Sequence, residues 1–143
     1  MHQLEGGCHC GNITVVYRTN IAPEDAIPRA CQCTFCRKHT TRAVSDPEGS
    51  LALTVADRNA LSRYRFGRGA AEFLICRTCG VYVAAFMGDP DDGRGYATLM
   101  ANVLEAHGRY PPATPTVYDN EDEGARRERR RQRWTPAMLS VAG

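Results

Sequence analysis

The stretch Gly6-Gly7-Cys8-His9-Cys10-Gly11 sets two thiols one residue apart in a tight loop, and Cys76-Arg77-Thr78-Cys79-Gly80 repeats the device in mid-chain. Each pair stands at the edge of a run that reads as a strand. Zinc takes tetrahedral sulfur ligands at about 2.3 Å, so two short knuckles joined by hairpin pairing satisfy one ion without straining a sheet. Glycine follows the second cysteine of both pairs, where a knuckle turn calls for positive φ. Four unliganded core cysteines would not be expected as two such pairs, and Cys-x-Cys spacing strains a disulfide. Cys8, Cys10, Cys76 and Cys79 are therefore expected to close a structural zinc site that ties the N-terminal strand to the middle of the chain.

Around these knuckles, short runs of branched and aromatic residues recur between turn signals. Ile13 to Tyr17, Leu51 to Val55, Arg63 to Phe66, Glu72 to Ile75, Val81 to Phe86 and Tyr96 to Met100 all read as strands. Turns are expected at Asp46-Pro47-Glu48-Gly49, at Gly67-Arg68-Gly69 and from Asp89 to Gly93. The fold class is mostly β, built from antiparallel hairpins. Cys33 to His39 and Asp57 to Leu61 read as short helical turns. Pro111, Pro112 and Pro115 are expected to exclude regular structure. After them the acidic run Asp119 to Glu123 leads into Ala125 to Trp134, which holds six arginines and reads as an exposed C-terminal helix. Acids first and bases last suits the helix dipole and pairs three or four residues apart, so a solvated face is weighed above a nucleic-acid patch. Residues 1–110 are taken as the zinc domain, and 111–143 as an extension packed on it or trailing from it.

The remaining thiols, Cys31-Gln32-Cys33-Thr34-Phe35-Cys36, number three. Catalytic zinc commonly has three protein ligands and an exchangeable fourth position, so a three-cysteine loop has the form of an open, working site. Two other readings stand beside it: His39, spaced Cys36-x-x-His39, completes a second closed site, or the triplet stays metal-free as reactive thiols that oxidise readily. Arg37 and Lys38 follow directly, where cations lower thiol pKa and receive a substrate's carboxylates; Arg42 extends that patch. His9 reads as a surface or supporting residue, Phe35 and Tyr82 as core or pocket wall, and Asn102 as a satisfied amide or a group reaching the site.

Composition bounds the rest. The chain has 143 residues, a net charge of only +2 and seven cysteines, an odd number in tight clusters. That pattern fits reduced, metal-binding thiols in the cytoplasm better than a secreted disulfide scaffold. No signal peptide and no apolar span of about 20 residues is present, so neither secretion nor a membrane is indicated, and net charge does not indicate nucleic acid.

At three stretches, Gly6 to Gly11, Cys31 to Lys38 and Phe73 to Gly80, the sequence resembles the glutathione-dependent formaldehyde-activating enzyme family, which shares a zinc domain with centromere protein V. The resemblance runs from about Gly6 to Leu104. It implies a β-tent fold, with antiparallel sheets around a zinc-ribbon-like centre. It implies a structural zinc on Cys8, Cys10, Cys76 and Cys79 and a catalytic zinc on Cys31, Cys33 and Cys36; because three thiolates hold zinc less firmly than four and oxidise readily once bare, loss of the second ion on purification is a further expectation. The implied activity is that of a carbon-sulfur lyase joining formaldehyde to the thiol of glutathione, giving S-hydroxymethylglutathione. The expected partners are thus a small thiol such as glutathione and an aldehyde. Where the family runs from Arg-Lys into a small residue, threonine and glycine, this chain has His39-Thr40-Thr41-Arg42, which alters the loop. The competing expectation, from another class of function, is a non-catalytic interaction module in which both metals are structural.

Overall fold

The structure, a computed structural model, describes residues 1–67, 70–88, 92–118 and 121–142. The strands are β1 (His2–Gly7), β2 (Ile13–Thr19), β3 (Arg29–Cys31), β4 (Ala43–Val44), β5 (Ser50–Val55), β6 (Leu61–Tyr64), β7 (Glu72–Cys76), β8 (Tyr82–Gly88), β9 (Arg94–Met100), β10 (Thr114–Thr116) and β11 (Thr135–Val141). Two α-helices join them, α1 (Thr34–His39) and α2 (Glu123–Arg133). The mostly β expectation holds, and all six strands read from the sequence are present. No helix among the described residues is long and apolar enough to cross a membrane.

The sheet branches at β9. One path runs β1-β2-β5-β11-β9-β4-β3-β10, and a second leaves β9 through β8 and β7 to β6. Alternation is clean in β2, where Ile13, Val15, Tyr17 and Thr19 are buried and Thr14 and Arg18 are exposed, as a sheet with one wet face requires. In β8 every residue from Tyr82 to Met87 is buried, because that strand is covered on both faces. Fully burying a Val, Leu or Ile contributes about 1.5–3 kcal/mol, whereas an exposed ion pair contributes about 0.2–1 kcal/mol. The apolar faces therefore dominate stability.

Two cores result. The larger gathers Ile13, Leu53, Leu74, Val83, Phe86 and Leu99; the smaller gathers Cys36, Phe73, Tyr82, Ala85, Met100 and Trp134. A bulge divides β8 between them: Ile75 pairs with Tyr82 while Leu74 pairs with Ala84, leaving Val83 as the extra residue. Strict alternation would send Tyr82 the same way as Ala84 and Phe86. The bulge instead turns it to the side of Ala85 and Met87, an example of an inserted residue re-aiming a side chain.

Three expectations are corrected. Pro115 lies within β10, which is possible because β10 is an edge strand that pairs only with β3, so the missing N–H is not needed by a second neighbour. Not all pairings are antiparallel, since β10 runs parallel to β3 and β11 parallel to β5. The arginine helix is not a solvated tail: Arg129 keeps only 12% of its side-chain exposure, and Trp134 is buried. Residues 135–141 then enter the sheet between β5 and β9.

The turn at Asp46 forms as read, with the Gly49 N–H donating to the Asp46 carbonyl at 3.0 Å and the Glu48 N–H to Asp46 Oδ1 at 2.9 Å. The expected turns at Gly67 to Gly69 and Asp89 to Gly93, and Asp119 of the acidic run, lie partly or wholly outside the described residues.

Candidate metal centres and the cavity beside them

Hairpin geometry brings the two knuckles together. Cys8 and Cys10 lie in the β1–β2 loop, and Cys76 ends β7 with Cys79 in the loop to β8. Asn12 ties the first loop to the turn before β6 through the Asp57 N–H, at 2.8 Å. That turn holds the second loop, with the Arg77 N–H donating to the Ala60 carbonyl at 2.8 Å. Gly11 and Gly80 take φ of 90° and 78°, the left-handed conformation that glycine enters without a steric penalty.

The four sulfurs lie within 4.8 Å of one another. Cys8 Sγ is 3.8 Å from Cys10 Sγ, and Cys10 Sγ is 3.5 Å from Cys76 Sγ. A tetrahedron with metal–sulfur bonds of about 2.3 Å has an edge of about 3.8 Å, and a disulfide needs about 2.05 Å. These contacts fit four ligands of one zinc ion and not a bridge. Backbone donors aim at the sulfurs, Ile13 N–H at Cys8 Sγ (3.2 Å) and Cys79 N–H at Cys76 Sγ (3.5 Å).

Cys31, Cys33 and Cys36 make a second group, also within 4.8 Å of one another. Cys31 ends β3, Cys33 caps α1 and Cys36 is buried in its first turn, its N–H donating to Cys33 Sγ at 3.3 Å. The Cys31 and Cys36 thiols donate to Cys33 and hold its pKa far below the usual thiol value, while the same contacts push Cys36 far up. Three sulfurs so close cannot all ionise unless a cation joins them, and binding one releases the remaining protons. The donor set therefore fits zinc. Among the described residues no histidine, carboxylate or fourth cysteine completes this group. His39 is exposed, with its ring 4.3 Å from that of Phe35 and 5.5 Å from that of Tyr82.

A cavity of about 130 Å³ opens beside the three sulfurs. Phe73, Tyr82, Met100 and Trp134 form its apolar wall, and Arg29, Arg126, Arg129 and Arg130 bring guanidinium groups to it. Among the described residues no Asp or Glu lines it. Burial raises the Tyr82 phenol well above its usual pKa, and thiolate charge on Cys36, Cys33 and Cys31 adds to this, so the phenol keeps its proton. Phe35 packs behind this wall at the centre of an aromatic cluster, 4.5 Å from Phe73 and 5.1 Å from Tyr82.

Arg37 and Lys38 are exposed on the last turn of α1 and do not line the cavity. Arg42 is a tether: it donates to Asn102 Oδ1 at 3.1 Å and to the Tyr110 carbonyl at 3.0 Å. Asn102, His9 and His39 line a separate cavity on the other side of Tyr82. Sequence reasoning missed the α2 arginines as cavity residues. The signal was present in the i, i+3, i+4 spacing of Arg126, Arg129 and Arg130, which places them on one helical face. The opposite face carries Arg127, paired with Glu123 at 3.1 Å, and Arg131, paired with Glu128 at 3.6 Å.

The family model for glutathione-dependent formaldehyde-activating enzymes matches residues 3–120. This chain belongs to that family. All seven cysteines fall within the matched span, whereas α2 and β11 lie beyond it. In fold the chain is also similar to the crystal structure of a Rhodobacter sphaeroides protein, a structural-genomics target, at 24% identity and a TM-score of 0.53, covering 80% of this chain and 99% of that one. No curated protein matches the chain.

Proposed function

We propose that this chain is a zinc-dependent enzyme of carbon–sulfur chemistry that joins an aldehyde, formaldehyde in the first instance, to a carboxylate-bearing thiol such as glutathione. The observation that carries this reading is the pairing of a three-sulfur group lacking a fourth protein ligand with a walled cavity beside it. The closed four-sulfur group is then structural. The family membership supports the same reaction class.

In the reaction a thiol sulfur adds to the carbonyl carbon, one carbon–sulfur bond forms, and the thiol proton ends on the former carbonyl oxygen. Zinc held by Cys31, Cys33 and Cys36 would supply Lewis acidity and stabilise a substrate thiolate at neutral pH. The chain's own residues do the rest. Phe73, Met100 and Trp134 exclude water, and the arginines orient an anionic substrate, so that an encounter of two molecules becomes an oriented reaction within one site. Tyr82 holds a proton on Oη at the cavity wall, available to the oxygen on which charge develops.

Zinc content and loss of free formaldehyde in the presence of glutathione test this reading. Wild type should hold two zinc ions per chain and consume aldehyde in a thiol-dependent way, and Cys33→Ser should hold one and consume none. Equal zinc in both proteins with no thiol-dependent consumption would leave only a zinc-stabilised scaffold.

A further inference from the structure

The cavity carries more positive charge than its surroundings neutralise. Arg129 gives its Nε–H to Glu121 Oε2 at 2.7 Å and stacks on Tyr118, with its guanidinium 3.6 Å from the ring centre. Arg126 lies 3.9 Å from Glu121 Oε1, too far for a good hydrogen bond. Arg130 has neither contact. Its guanidinium sits 4.8 Å from the Trp134 ring centre, and its Nε and Nη1 are buried with no hydrogen-bond partner among the described residues. Arg29 spends one Nη on the neutral hydroxyls of Ser45 (2.6 Å) and Thr98 (2.9 Å).

Two guanidinium nitrogens buried without a hydrogen-bond partner are costly, because the desolvation of an ion is offset only by a partner. Burial, with repulsion from Arg129 and Arg126, lowers the Arg130 pKa to about 10, which still leaves it charged at neutral pH. Among the described residues four cations thus face one carboxylate, that of Glu121. Zinc on three thiolates would bring one surplus negative charge, so two positive charges are left to be met. A molecule carrying both a thiolate and a carboxylate meets them. The size of the space narrows the choice further: a cavity of about 150 Å³ holds one benzene, and this one is about 130 Å³. That admits a handful of heavy atoms and leaves most of a tripeptide outside.

Resting on the proposed thiol chemistry, we infer that Arg130, flanked by Arg126, is a carboxylate clamp that selects a short mercaptocarboxylate as the thiol substrate at the three-cysteine site. Arg130 offers buried, unused N–H donors at Nε and Nη1, each able to give a carboxylate a charge-assisted hydrogen bond. The clamp comes from α2, outside the span that matches the family.

Trp134, the only tryptophan, forms the cavity wall under Arg130 and reports directly on occupancy. The zinc-loaded protein is titrated by tryptophan fluorescence with mercaptoacetate, with its uncharged amide mercaptoacetamide, and with (methylthio)acetate, which keeps the carboxylate but has no thiol. Mercaptoacetate should bind about 10- to 100-fold more tightly than the amide, the range of a charge-assisted hydrogen bond. Arg130→Met should bring that ratio close to one, Arg130→Lys should keep part of it, and Arg127→Met on the outer face should leave it unchanged. The unfolding temperature of Arg130→Met should not fall, since Nε and Nη1 have no protein partner to lose. A fall would assign Arg130 to balancing the thiolates and overturn the clamp. So would a wild-type ratio near one, or a ratio that survives in Arg130→Met.

The two readings fail separately. Arg130-dependent binding of (methylthio)acetate by a protein that holds one zinc and consumes no aldehyde keeps the clamp and removes the chemistry. Thiol-dependent aldehyde consumption with equal affinity for acid and amide keeps the chemistry and removes the clamp.

Discussion

The two cysteine groups differ in what surrounds them more than in their sulfur chemistry. The four-sulfur group is fastened by backbone: two knuckles, glycine turns at Gly11 and Gly80, and N–H donors to sulfur. No cavity among those described places its thiols in a wall. The three-sulfur group is fastened at one end of β3 and the start of α1, and opens on a space walled by aromatic rings and arginines. A full ligand set needs only a rigid loop. An incomplete one is useful only when other elements shape what can approach it, and here β8, β9 and α2 do so.

The largest effect should separate the groups by stability. Cys76→Ser removes a ligand of the closed site, and since structural zinc contributes about 10–16 kcal/mol to small zinc folds, the variant should lose cooperative unfolding by circular dichroism or fail to accumulate. Cys33→Ser should stay folded, and near-equal unfolding temperatures for the two variants would erase the distinction. Next, a graded chelator challenge should remove one zinc equivalent with loss of activity while the far-ultraviolet spectrum is unchanged, and the second only with unfolding. Simultaneous loss of both ions would contradict this order.

Tyr82→Phe probes the wall rather than the ligands. Aldehyde consumption should fall about 100- to 10,000-fold in kcat with little change in zinc content, and an unchanged kcat would remove the phenol from the chemistry. A smaller effect is expected at Glu121, whose pKa is held below the usual carboxylate range by its hydrogen bond from Arg129. A depressed carboxylate stabilises the folded state above its unfolded pKa of about 4.3, and that contribution is lost as pH falls through the lower folded value. The gap in unfolding temperature between wild type and Glu121→Gln should therefore be constant near neutrality and close in acid. A gap that widened in acid would contradict the pairing.

The smallest effect concerns the end of α1. Thr40, a β-branched residue, closes the helix at φ 52°, a conformation that costs about 1–2 kcal/mol outside glycine. Thr40→Gly should raise stability by about 1 kcal/mol, or roughly 2–4 °C in Tm, and a lower Tm would mean that the threonine is held by contacts worth more than its strain.

The legible parts of this fold were those written in local pattern. Branched runs gave six strands, Asp57 gave a helical turn, and Cys spacing gave both sulfur groups, with trailing glycines marking the four-sulfur one. What stayed hidden depends on distant partners. Thr135 to Val141 becomes a strand because β5 and β9 leave a slot for it, and β4 is only two residues long. Tyr82 faces the cavity through a one-residue bulge that hydrophobic pattern does not encode. Arg130 looked like one more surface cation in an arginine run, and only the placement of α2 over β9 and Trp134 makes it a buried one.

The position of β11 has a consequence for how the molecule is made. Strands β5 and β9 have no pairing with each other and are joined only through this late segment. A nascent chain on the ribosome can assemble the hairpins β1–β2 and β7–β8 as they emerge, but its central slot stays empty until residues 135–141 arrive. Until then two apolar strand edges are exposed together, which makes the interval before residues 135–141 emerge a time when this protein is open to aggregation and to chaperones.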